Sequence, residues 1–124
     1  MATKKILVID DDIDFREQAK IVLESANYNV LEAEDGATGL KMIEQENPDF
    51  ILLDVMMEEV DTGVKIADKI AALGVKAPVV ILSSFASAAQ QIFDTSAVPV
   101  KEYLQKPLKS DELLAVVKRY TDSD

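Results

Sequence analysis

Strand-like and helix-like segments alternate five times along this chain, and that alternation constrains its fold more than any single residue does. The strand signals are short apolar or β-branched runs: Lys4 to Ile9, Tyr28 to Ala33, Phe50 to Leu53, Val79 to Leu82 and Glu102 to Gln105. Between and after them, apolar residues recur at helical spacing. Phe15, Ala19, Val22, Leu23 and Ala26 share one face over 13–26, and Leu40 and Ile43 face inward in a helix opened by Asp35-Gly36 and stopped by Asn47-Pro48. Ile66, Ala67, Ile70 and Leu73 mark a helix over 64–73 closed by Gly74. Residues 86–95 read as a poor helix of Ala, Ser and Gln. Leu113, Leu114 and Val117 face inward over 110–120. Strands alternating with helices predict a parallel sheet covered on both faces. Phe50-Ile51-Leu52-Leu53 is apolar on both faces and so belongs at its centre. Val55 to Gly63 is expected to be a loop, and the polar tail from Thr121 to Asp124 is expected to fray.

Composition removes whole classes of function. With 124 residues the chain suits one domain, read as 1–124, large enough to need no disulfide or metal staple. It has no cysteine and no histidine. Thiolate catalysis, disulfides, Cys-type zinc sites and His-dependent triads are excluded, as is a phosphohistidine within the chain. The formal charge of −10 argues against direct binding of nucleic acid, which needs clustered Lys and Arg. It suits a protein that binds a cation or basic protein surfaces. No apolar run approaches the length of a membrane span, and residues 1–5 lead straight into a strand rather than a signal peptide. The expected location is the cytoplasm.

Charged residues close three of the strands. Asp10-Asp11-Asp12 follows Ile6 to Ile9, Asp54 follows Phe50 to Leu53, and Lys106-Pro107 follows Tyr103-Leu104-Gln105. In an open parallel sheet these C-terminal ends lie on one edge, where ligands bind. Three carboxylates converging there repel one another unless a cation joins them, and a neighbouring lysine suits a phosphate. The pattern reads as a Mg²⁺-assisted phosphoryl site. Asp12 is also placed to cap the first helix. Asp54, set between apolar residues on both sides, is costly to bury without a function.

These ordered features resemble the response-regulator receiver domain of two-component signalling, over essentially the whole chain. They are Asp10-Asp11 after the first strand, Asp54 after the third, Ser83 after the fourth, and Tyr103 and Lys106 around the fifth. The resemblance implies a flavodoxin-like (CheY-like) α/β/α sandwich with five parallel strands in the order 2-1-3-4-5 and five helices. It implies that Asp54 accepts a phosphoryl group from a phosphohistidine on a partner kinase or phosphotransfer protein. Asp10, Asp11, Asp54 and the backbone carbonyl of Met56 would hold Mg²⁺. Lys106 and Ser83 would bind phosphoryl oxygens, and Tyr103 would swing inward when Ser83 moves. The expected role is signalling, with no reaction catalysed beyond the domain's own phosphorylation and dephosphorylation. Met56 and Phe85 would flank the path of hydrolytic water and tune the signal's lifetime. The face made by the fourth helix, fifth strand and fifth helix would contact a downstream protein or a second copy.

The chain departs from the family pattern in places. Glu58-Glu59 stands where Pro and Gly are usual, Thr62 separates Asp61 from Gly63, Val98-Pro99-Val100 replaces a Gly-Ala pair, and the switch hydroxyl is Ser83 rather than Thr. Two other classes compete. A haloacid-dehalogenase-type phosphatase could use Asp10 and Asp12 as its DxD, but it needs a late acidic pair that Tyr103 to Lys106 does not offer, and it leaves Asp54 unexplained. A flavodoxin-like FMN carrier needs a Gly- and hydroxyl-rich phosphate loop where this chain has three aspartates.

Overall fold

The computed structural model describes residues 3–55, 60–85 and 100–121, with backbone alone at 60–64. In chain order the elements are β1 (Lys5–Ile9), α1 (Ile13–Glu24), β2 (Asn29–Ala33), α2 (Gly36–Glu46), β3 (Phe50–Asp54), α3 (Val60–Ala72), β4 (Val79–Ser83), β5 (Val100–Gln105) and α4 (Ser110–Thr121). All five strands form one parallel sheet in the order β2-β1-β3-β4-β5. β3 is central, as its two apolar faces require. Four helices lie among the described residues. The expected helix over 86–95 and the positions Met56, Glu58, Glu59 and Pro99 lie outside them.

Side chains alternate across the sheet and build two cores. Leu7, Ile9, Ile51, Leu53, Val79 and Ile81 point to one face, where Ile43 of α2 and Ala67 and Ile70 of α3 cover them. Ile6, Val8, Phe50, Leu52, Val80 and Leu82 point to the other, under Ala19 and Leu23 of α1 and Leu113, Val116 and Val117 of α4. The result is a three-layer α/β/α sandwich. Helix ends follow local chemistry. Asp12 Oδ1 accepts from the Asp14 N–H at the start of α1, and Asp35 accepts from the Thr38 N–H at the start of α2. Asn47 ends α2 in the left-handed region, and Gly74 follows α3 at φ +72°.

Four expectations need correction. The segment read as a loop from Val55 to Gly63 is helical from Val60 onward. Val60, Thr62 and Gly63 are weak helix formers, so local propensity argued against a helix that the fold nevertheless builds. β5 begins at Val100, two residues early, with an irregularity between Val79 and Val80 that accommodates the extra pairing. The helix expected to run to Leu73 ends at Ala72, and Leu73, in the turn that follows, is 39% exposed. Thr121 does not fray. It is buried at the end of α4, where its hydroxyl donates to the Val117 carbonyl and lies 3.2 Å from the Tyr28 hydroxyl.

Candidate functional site

Strand register brings the carboxylates together. β1 and β3 pair Ile9 with Leu53, so the next residues, Asp10 and Asp54, stand side by side at the sheet's C-terminal edge. One oxygen each from Asp10, Asp11 and Asp54 lie within 4.8 Å of one another. They line a cleft of about 270 Å³ between β1 and β3, walled on the far side by Glu34, Asp35 and Gly36. A Cβ on Gly36 would collide with the Ile66 side chain of α3, which would have to move, so glycine eases the close start of α2 beside its neighbour. On the other flank β4 and β5 pair Ser83 with Gln105, which puts Lys106 one residue past the edge. Its Nζ lies 2.5 Å from Asp54 Oδ1.

Each carboxylate has a different environment. Asp10 is 2% exposed. Its N–H donates to the Ala33 carbonyl (3.0 Å), and its Oδ1 accepts from the Asp12 N–H (2.9 Å). Its Oδ2 is buried and has no hydrogen-bond donor among the described residues. Burial pushes the Asp10 carboxyl up to about 6, with the charges of Asp54 and Asp11 adding to the shift, while the Asp12 amide and Lys106 oppose it. Burial also raises Asp54, whose side chain is only 4% exposed, against the pull of Lys106. For Lys106, burial works against the ammonium, but contact with Asp54 and the charges of Asp54, Asp10 and Asp11 outweigh it, so its pKa rises and it stays charged. Asp11 is exposed.

An orphaned buried oxygen, two raised carboxyls and a third carboxylate within reach form a hard, all-oxygen donor set. Mg²⁺ takes one or two carboxylates plus water and phosphate oxygens at about 2.0–2.1 Å, and this cluster suits it. The residues present therefore fit the cation.

The raised Asp10 has a thermodynamic consequence. A carboxyl with a folded value near 6 and an unfolded value near 3.8 contributes stability below pH 4 that is lost as pH rises through 6. Two units correspond to roughly 3 kcal/mol. Metal-free Asp10→Asn is therefore expected to be more stable than the parent chain at pH 7.5, by about 1–3 kcal/mol, with the gap closing towards pH 4. Urea unfolding at both pH values, in the presence of a chelator, measures this. Equal midpoints at pH 7.5 would show that Asp10 carries no such penalty.

Ser83 is fully buried, and its Oγ accepts from the Phe85 N–H at 3.0 Å. Its carbonyl accepts from the Lys106 N–H at 2.9 Å, which ties the hydroxyl's strand to the lysine's. Phe85 is 54% exposed beside this turn. Tyr103 is half-buried and packs against the core that contains Leu53 and Ile81. The Gln105 side chain donates to the carbonyls of Ser84 and Lys106, bridging the ends of β4 and β5. Asp10, Asp11, Asp54 and Lys106 are thus brought together, Ser83 stands on the adjoining strand, and Met56 lies outside the described residues.

The model of the response regulator receiver domain matches residues 6–118. The chain belongs to that family. Receiver domains of this kind are the signalling modules of two-component systems, which work with histidine kinases and downstream partners. Response regulator MprA of Mycobacterium ulcerans is 35% identical over 111 residues, which is 90% of this chain and 47% of that protein. MprA of Mycobacterium leprae is 32% identical over 92% of this chain and 49% of its own length. The receiver chain therefore spans about half the length of the curated relatives it matches, and the expectation that it avoids nucleic acid concerns these 124 residues alone. Among solved structures, Vibrio cholerae chemotaxis protein CheY4 superposes with a TM-score of 0.85 at 27% identity, covering 96% of this chain and 99% of that one. Response regulator TrrA of Thermotoga maritima, solved with Mg²⁺ and BeF, gives 0.80 at 29% identity over 95% and 99%. Nothing in the fold or the relatives supports the phosphatase alternative. No described helix is long and apolar enough to cross a membrane.

Sequence reasoning missed Arg16. Its guanidinium Nη1 donates to the Asp10 carbonyl at 2.6 Å, and its Nε pairs with Glu32 of β2 at 3.2 Å. The available signal was a cation in the opening turns of α1, where the helix dipole disfavours it.

Proposed function

We propose that Asp54 is the phosphoacceptor of this receiver domain, taking a phosphoryl group from a phosphohistidine on a histidine kinase or phosphotransfer protein. The observation that carries this reading is the buried Asp54 carboxylate, held 2.5 Å from Lys106 and beside the orphaned Asp10 oxygen. Asp10, Asp11, Asp54 and the carbonyl of Met56 would hold one Mg²⁺, whose charge offsets that of the phosphoryl oxygens. An Asp54 oxygen attacks phosphorus as the P–N bond to the donor imidazole breaks, and the electron pair leaves with the imidazole. Lys106 pairs with a phosphoryl oxygen, exchanging part of its contact with Asp54. Phosphoryl transfer asks for this kind of charge neutralisation and in-line placement more than for covalent machinery. An acyl phosphate is labile, which suits a signal that must reset.

The product adds about −1.5 to −2 charges to the pocket. Ser83 then has reason to leave the Phe85 N–H and bond a phosphoryl oxygen, and Tyr103 follows inward. The face of β5, α4 and the segment between Phe85 and Val100 would carry the change to a downstream protein or to a second copy. We read 1–124 as one domain, since the family match covers 6–118 and the elements run from Lys5 to Thr121. The reading places it in the cytoplasm, where phosphohistidine donors draw on ATP.

Incubation with Mg²⁺ and a small acyl phosphate, followed by intact-mass and peptide analysis, tests the assignment. One phosphate on Asp54, absent when the metal is chelated, is the expected result. Phosphate on another residue, or uptake indifferent to metal, would overturn it.

Lifetime gives a separate expectation. Met56 and Phe85 cannot orient a water, so the phosphoryl group should hydrolyse slowly. Met56→Asn with Phe85→Glu is expected to shorten the phosphate half-life at least about tenfold, equivalent to ~1.4 kcal/mol of barrier. An unchanged half-life in a chase experiment would remove both residues from this role.

A further inference from the structure

We propose that Arg16 is a positioning residue that sets the metal-binding turn, acting through the backbone between Asp10 and Asp11; this rests on the Mg²⁺ reading above. The Asp10 carbonyl and the Asp11 N–H belong to one peptide unit. Arg16 Nη1 holds that carbonyl at 2.6 Å, so it fixes the plane of the peptide. The Asp10 N–H is held by Ala33, and Asp10 Oδ1 is held by the Asp12 amide. With Arg16 on the carbonyl, the Asp10 backbone and Oδ1 are each held by hydrogen bonds, and Oδ2 is the Asp10 oxygen left without a hydrogen-bond partner among the described residues. Asp11 is exposed, and no hydrogen bond to its carboxylate is seen among the described residues. Its direction therefore depends on the peptide that Arg16 pins.

Two observations separate this role from ordinary helix support. A guanidinium in the opening turns of α1 opposes the helix dipole, so its placement is not explained by the helix. Arg16 is also largely buried, its side chain 12% exposed, and Glu32 fixes the second edge of its fork. A planar donor held on both edges aims at the carbonyl without searching rotamers, which a lysine cannot reproduce. Groups that orient metal ligands in this way commonly change metal affinity by about 10–100-fold.

The test is an amide NMR titration of the full chain with MgCl₂, below the unfolding transition. Arg16→Gln is expected to raise the Mg²⁺ dissociation constant at least about tenfold, Glu32→Gln to raise it by less, and Arg16→Lys to recover part of the loss. At saturating Mg²⁺, phosphate uptake by Arg16→Gln should return to near the parent rate, because ligand placement and not chemistry is altered. A merely structural role would lower the folded fraction and leave the dissociation constant of folded molecules unchanged. A constant within about twofold of the parent in Arg16→Gln overturns the proposal. Should that variant not fold, an unaltered constant in Glu32→Gln overturns it instead. If the parent chain itself shows no Mg²⁺-dependent shifts, the metal reading fails and takes this inference with it.

Discussion

Asp54→Asn is expected to take up no measurable phosphate from a small acyl phosphate under conditions that label the parent chain fully. An amide oxygen is a far poorer nucleophile than a carboxylate, and the substitution also removes one of the three clustered carboxylates. A loss of at least about a thousandfold, ~4 kcal/mol of barrier, follows. The other carboxylates are badly placed to substitute. Asp10 is 2% exposed and Asp11 stands out in solvent, whereas Lys106, the cation that would pair with the phosphoryl group, closes on Asp54. The fold itself should survive, since the charge removed is one that burial already penalises. Circular dichroism run beside the mass measurement separates the two effects. Undiminished labelling of a folded Asp54→Asn would move the acceptor elsewhere.

Phe50→Ala is expected to cost about 3–5 kcal/mol of folding stability. Phe50 is fully buried at the start of the central strand, paired in register with Ile6. Its ring lies 6.3 Å from that of Tyr120, so it joins the sheet to α4 across one whole core. Small domains hold roughly 5–15 kcal/mol in all, so the variant should sit close to the unfolding threshold. Thermal unfolding should show a fall on the order of 10–20 °C. By contrast, Ile21→Ala on the outer face of α1, where Ile21 is 71% exposed, should fall within about 0.5 kcal/mol of the parent. A shift below about 1 kcal/mol for Phe50→Ala would mean that the core relaxes around the void.

Much of the site was legible because its chemistry is local. An aspartate closing an apolar strand and a lysine before a proline stand out in any reading of the chain. Asp12 and Asp35 as caps were equally readable, since a cap is decided within one helical turn. Arg16 was not legible as part of the site. Its meaning lies in a carbonyl six residues back and a glutamate on the next strand, neither of which declares itself in sequence. The start of α3 was misread for the opposite reason. Val60 to Gly63 carries weak local signals, and neighbouring structure overrides them.

The sequence alone determined the class of fold, the central place of Phe50 to Leu53 and the kinds of atom available to a ligand, because hydrophobic period and residue chemistry are properties of short segments. Tertiary structure decided which of those atoms meet. The pairing of Ile9 with Leu53 and of Ser83 with Gln105 sets Asp10 beside Asp54 and brings Lys106 onto it, across tens of residues of chain. Register between strands is a long-range choice, made by the burial of two sheet faces at once. The raised Asp10 carboxyl, its one free oxygen and the grip of Arg16 exist only after that choice is made.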